Sequence, residues 1–173
     1  MRTLKLASFA VVALLAVASC SRTPPPAPTA TCPASSMKLP LRAVVGSGTD
    51  VFVANITANG PVEERVTGPI QTYLADASAP LMGSANGPVR IGVGSVLING
   101  KPCRDGIPLP EVGKSYLIAA NYNKASQIFV AGVFEGSTTE LTDTDIAKIG
   151  TPDEPMLIKD MREAVKAPIY PTI

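Results

Sequence analysis

Two stretches of apolar alternation constrain this chain more than anything else in it. Residues 50–57 (DVFVANIT) place Val51, Val53 and Asn55 on one face of an extended strand and Phe52, Ala54 and Ile56 on the other. Residues 88–99 (PVRIGVGSVLIN) send Val89, Ile91 and Val93 one way and Arg90, Gly92 and Gly94 the other, then run on through Val96, Leu97 and Ile98. A period of two fits a strand and not a helix. Turn residues punctuate the pattern at Gly46-Ser47-Gly48, Asn59-Gly60-Pro61, Ser78-Ala79-Pro80, Asn99-Gly100 and Asp105-Gly106. Further apolar or extended stretches cover 41–45, 67–74, 115–120 and 127–134, the last two joined across 121–126. Five or six strands at this spacing predict a mainly β fold, a small five- to six-stranded barrel with one or two C-terminal helices; an immunoglobulin-like β-sandwich is the alternative. The helical signals come late. Thr142 or Asp143 caps a short helix through Ile149, with Gly150 as its stop. A second helix is expected over 153–167, capped from Thr151 or Asp153, with Leu157, Met161 and Val165 on its core-facing side and Pro168 after it.

The N-terminus has a different character. Arg2 and Lys5 precede an apolar run from Leu6 to Val17, and Ala18-Ser19-Cys20 follow. A basic start, a short apolar stretch and small residues are the anatomy of a secretory signal. Twelve residues span roughly 18 Å as a helix, short of the ~20 residues needed to cross a bilayer. The cysteine directly after the small residues makes the segment resemble a bacterial lipoprotein signal, or lipobox. That resemblance implies that residues 1–19 are removed and that Cys20 is lipidated by acyl chains of the palmitate class. It also implies a protein anchored by lipid to a cell membrane on its exported side. Residues 20–37 then read as a tether. Pro24-Pro25-Pro26 and the surrounding Ala, Ser and Thr offer too little apolar surface to fold. Residues 38–173 form one domain, long enough to bury its own core.

Removing the leader takes Arg2 and Lys5, leaving 13 Lys plus Arg against 14 Asp plus Glu. No basic surplus or stripe is available for nucleic acid. The chain has no His, which excludes Ser-His-Asp and Cys-His triads and histidine-containing zinc sites. With Cys20 assigned to lipid, Cys32 and Cys103 remain as an even pair in an exported chain, and an oxidising compartment favours a disulfide between them. The bridge would close a loop of about 70 residues, worth of order 4 kcal/mol in the chain-entropy model. Buried free thiols are the rival reading.

A second resemblance rests on the order of segments. Residues 51–59 (VFVANITAN) come first, then Cys103, then 112–120 (VGKSYLIAA), then 133–138 (VFEGST) and a short acidic helix start. This order resembles the netrin-like domain family, which includes the tissue inhibitors of metalloproteinases. The resemblance covers about 32–149. It implies an OB-type barrel of five strands with helices, and a cysteine near the N-terminus bridged to the one before the Tyr-Leu-Ile strand. Two features depart from the family. No further cysteine follows that strand, and Cys32 is preceded by twelve mature residues, so protease inhibition through a free N-terminal cysteine is not carried over.

No residue pattern names a reaction. Glu63-Glu64 reads as a solvated pair after a Gly-Pro turn. Thr142-Asp143-Thr144-Asp145 lacks the glycine and terminal glutamate of a calcium loop and reads as a helix cap. Gly92-Val93-Gly94 lacks the third glycine of a dinucleotide site and marks a bulge or a close approach in a strand. Lys114-Ser115 is the nearest approach to a nucleophile and base, but adjacent strand residues point to opposite faces. No catalytic residue, metal or cofactor is expected. The expectation is a non-enzymatic binding module with an envelope protein partner, the membrane being held through Cys20. A carrier of a small apolar or lipid ligand in a barrel cavity is the alternative.

Overall fold

Val51 and Val53 are as buried as Phe52, Ala54 and Ile56, so the first half of the strand they share has no solvent face. That double burial organises the fold. A computed structural model describes residues 38–66, 68–98, 101–103 and 109–170. The described elements are α1 (Leu41–Gly46), β1 (Asp50–Glu63), β2 (Ile70–Met82), β3 (Gly87–Gly94), β4 (Val96–Ile98), β5 (Lys101–Cys103), β6 (Ser115–Asn123), β7 (Ile128–Ala131), β8 (Thr138–Leu141), α2 (Asp143–Lys148) and α3 (Met156–Lys166).

Six strands form one mixed sheet in the order β1-β2-β3-β7-β6-β8, and β1 pairs with β6 as well. The hydrogen bonding therefore runs in a ring through five strands. Every pairing is antiparallel except β3 with β7. Paired residues can be followed once round, from Asp50 through Ala120, Ala131, Val93 and Gln71 to Val62. The path returns to β1 twelve residues farther along, the kind of stagger that a small closed sheet requires. Bulges let β1 make the journey, with register shifts between Ile56 and Ala58 and between Asn59 and Val62. Kinked in this way, and with only three residue pairs joining β3 to β7, the expected barrel takes the form of a bonded ring in a mixed sheet and not a regular barrel. One six-stranded sheet, with β4 and β5 as a separate two-stranded ribbon, also replaces the two-sheet sandwich held as the alternative.

The alternation read from the sequence sorts the side chains as expected. Phe52, Ala54 and Ile56 of β1 join Tyr73, Ala75, Ile91, Val93, Tyr116, Ile118 and Phe129 in the core inside the ring. Val51 and Val53 face outward with Leu117 and Ala119 of β6, and there meet Val44 and Val45 of α1 and Ile158, Met161 and Ala164 of α3. Residues 50–55 of β1 lie beside residues 115–120 of β6, paired antiparallel.

Several expectations are corrected. The 41–45 stretch is a helix and not a strand. Pro40 sets the entry, Ala43, Val44 and Val45 are buried, and the Ser47 hydroxyl closes the end on the Val44 carbonyl at 2.7 Å. Packing against α3 overrides the β preference of the valines. Neither Asn59-Gly60-Pro61 nor Ser78-Ala79-Pro80 ends its strand. Both prolines sit at register shifts, where no ladder hydrogen bond is asked of them, and Ala79 adopts φ 43°. The helix expected over 153–167 begins three residues late, at Met156. Glu154 precedes Pro155, which disfavours helical backbone, and residues 151–154 close a turn through Glu154 N–H to the Thr151 carbonyl. Its core side is Ile158, Met161 and Ala164, with Leu157 and Val165 flanking. Strand β8 had no counterpart among the expected elements. By contrast, α2 has the expected start and stop: Thr142 forms a capping box with Asp145, and Gly150 takes φ 78°.

Candidate functional site

Glu63 closes β1, and its carboxylate receives two guanidinium groups. Arg65 Nη2 donates at 2.9 Å from the connection that follows, and Arg90 Nη2 at 2.6 Å from the outer face of β3. The Arg65 hydrogen bond, against the opposing effect of burial and with Arg90 adding to it, holds the Glu63 carboxyl below the usual carboxylate range. The Glu63-Glu64 pair is thus not simply solvated. Thr72 and Gln71 fix the chain just upstream, Thr72 Oγ1 donating to the Pro61 carbonyl at 2.6 Å and Gln71 Nε2 to the Gly60 carbonyl at 2.8 Å. Gly60 is required here, because a Cβ would collide with the Thr72 hydroxyl.

Residues 63–66 and the end of β6 wall an open cleft of about 860 Å³, with Ile70 and Val130 also lining it. Val66 is fully exposed at its rim. Gly92 of β3 lets Ile70 and Ile128 meet over it: a Cβ there would lie 2.8 Å from Ile70 Cδ1 and 3.1 Å from Ile128 Cγ2. That is the close approach expected of a glycine in this strand.

The opposite wall is held rigidly. Asn121 Nδ2 donates to the Ser47 carbonyl at 2.6 Å, and Asn123 Oδ1 accepts from the N–H groups of Ala125 and Ser126 at 3.0 and 3.2 Å. Such side-chain turns set up the β6–β7 connection, in which Gln127 takes φ 53°. Between these asparagines stands Tyr122. Its N–H donates to Thr49 Oγ1 at 3.0 Å; Thr49 in turn donates to Asp50, whose other oxygen accepts from Ser84 N–H at 2.8 Å. The Tyr122 ring packs on Phe129 at 4.7 Å between centroids, and Phe129 stands edge-on to Phe52 at 5.1 Å. Tyr122 also lines a second open cleft, of about 660 Å³, together with Leu74, Asp76, Asn86 and Gln127. An aromatic side chain 40% exposed is therefore anchored from the ring interior and presented between two clefts.

The chemistry available here is recognition. Tyr122 and Val66 offer apolar area, and the Glu63, Arg65 and asparagine groups offer fixed polar partners. Lys114 and Ser115 do not cooperate. Lys114 Nζ goes to Glu111 at 3.1 Å and Glu140 at 3.2 Å, hydrogen bonds that raise its pKa and keep it cationic, while Ser115 Oγ accepts from Asn55 Nδ2 at 3.1 Å. Cys20 and Cys32 lie outside the described residues. The backbone of Cys103 lies in β5, paired with Val96 of β4, and not in a turn. Sequence reasoning missed Tyr122, Arg65 and Arg90 as neighbours, because three strands and a connection bring them together. No protein-family profile matches the chain, and no curated protein matches it.

Proposed function

We propose that this protein is an exported lipoprotein, held to a cell membrane by acyl chains on Cys20, whose domain is a non-enzymatic binding module for an envelope protein. The observation that carries the reading is Tyr122, a rigidly held, exposed aromatic between two open clefts. Such residues dominate the energetics of protein interfaces. The lipobox pattern and the proline-rich tether support the anchoring; among the described residues no helix is long and apolar enough to cross a membrane. Phe52, Phe129, Tyr73 and Tyr116 fill the ring, which favours a site on its surface over a ligand held inside it.

Affinity capture from envelope extract tests the reading. Wild-type protein is expected to retain a defined partner that Tyr122→Ala and Val66→Asp lose by at least tenfold, a loss of about 1.4 kcal/mol. Equal retention by all three proteins, or capture that vanishes with salt for each alike, would overturn it. Intact-mass analysis of membrane-extracted protein checks the anchor separately: the expected product starts at Cys20 and carries acyl mass, and unmodified Cys20 would remove that half of the proposal.

A further inference from the structure

Both ends of the described chain meet at α1. On the N-terminal side, Lys38 forms a parallel backbone bridge with Glu135 and an exposed ion pair to it at 3.2 Å. On the C-terminal side, residues 167–170 lie along the helix. Ile169 N–H donates to the Arg42 carbonyl at 2.9 Å, and Arg42 Nε donates to the Ala167 carbonyl. The contact is backbone against backbone at Gly46, where a Cβ would collide with the Ile169 carbonyl. Six residues are too few to persist as a free helix, since isolated helices shorter than about 12–15 residues are marginal in water. What holds α1 is therefore its seat on the outer core, through Val44 and Val45, together with the Asn121 hydrogen bond to the Ser47 carbonyl and this C-terminal strap. The core inside the ring contains no residue of α1 or α3.

We propose that residues 167–170 are a latch. Closed, it keeps α1 on the sheet. Open, it lets residues 38–48 leave as a unit while the ring stays folded. Those eleven residues would then extend the tether by up to about 35 Å at ~3.3 Å per residue and uncover the apolar seat of Val44 and Val45. A pull from the N-terminal side meets the exposed Lys38–Glu135 pair first and α1 next, so the latch is the element that resists it. The gain in reach rests on the tether reading proposed above; the latch itself does not.

Hydrogen exchange on the full chain tests it, comparing wild type with a chain ending at Ala167, with Gly46→Val, and with the milder Arg42→Ala, which leaves every backbone partner in place. The truncation and Gly46→Val are expected to speed exchange at residues 43–48 by about tenfold or more, with Arg42→Ala in between, while amides of β3 and β7 keep their wild-type rates. Unchanged exchange at 43–48 in the truncated chain would overturn the latch. So would a matching rise in β3 and β7, because α1 would then not be a separable unit. Failure of the anchor, read by the mass of Cys20, leaves this result untouched and removes only the gain in reach.

Discussion

At the scale of single residues, this fold relies on contacts that glycine alone permits. Gly83 takes φ 81° and lies against the Asp50 carboxylate, which accepts from the neighbouring Ser84 N–H. A Cβ there meets both a left-handed backbone and a buried carboxylate. Gly68 takes φ 106° with open space around it, so a Cβ there meets strain only. Gly68→Ala is expected to cost about 1–2 kcal/mol, the left-handed penalty for a residue with a Cβ. Gly83→Ala should cost that and about 1–3 kcal/mol more for the displaced carboxylate. Urea midpoints of the two variants measure the difference, and equal midpoints would mean that Asp50 moves aside freely. None of this is visible in composition. Gly83 lies in the β2–β3 connection, where the sequence pattern marks no turn, and its partner is 33 positions away in the chain.

Among the elements, α2 depends most on local chemistry. It has no buried residue, so its cap carries much of its stability. Thr142 Oγ1 accepts from Asp145 N–H at 3.2 Å and donates to the Asp145 carboxylate, which also receives Thr142 N–H at 3.0 Å. These hydrogen bonds, the Thr142 hydroxyl first, lower the Asp145 pKa from its usual 3.8. A carboxyl whose pKa is lower folded than unfolded adds stability that is complete above the unfolded value and is lost as pH falls through the folded one. The Asp145 contribution should therefore be whole at neutral pH and fade only below about pH 4. Thr142→Ala is expected to cost about 1 kcal/mol at pH 7 and to show a smaller deficit at pH 2 to 3. Exchange rates of the α2 amides against pH check both statements, and a deficit independent of pH would show that the cap acts through Thr142 alone. The late start of α3 is local too, set by Pro155. The helical state of α1 is not, since its valines are strand formers that became helical only where α3 offered a seat.

For the whole molecule, the notable feature is one pair of strands with two cores. β1 and β6 send alternate side chains into the ring and under the helices, so neither core can be lost without exposing the back of the other. Phe129→Ala inside the ring should cost about 3–5 kcal/mol, and Met161→Ala under the helices about 2–5 kcal/mol. Both variants should still melt in a single transition monitored by far-ultraviolet circular dichroism and by calorimetry. Two resolved transitions in Met161→Ala would show that the layers unfold separately. The latch opening proposed for α1 is a smaller event than this, because the core inside the ring contains no residue of α1.

What the chain determined by itself was what depends on near neighbours. Alternation set which residues of β1 and β3 face which way. Thr142 and Gly150 bounded α2, and the absence of histidine closed off whole classes of chemistry. Tertiary structure decided what depends on distant partners. It carried β1 and β2 past two prolines, because bulges absorbed the missing donors. It made a helix of an apolar stretch that reads equally well as a strand, and it paired Glu63 with two arginines, one of them 27 positions away. It also turned a nondescript connection into the wall of a cleft by stacking Tyr122 on Phe129. Local steric and hydrogen-bonding preferences act over a few residues and so can be read in order along the chain. A site assembled by strand closure takes its members from residues that share a place only after the ring has formed.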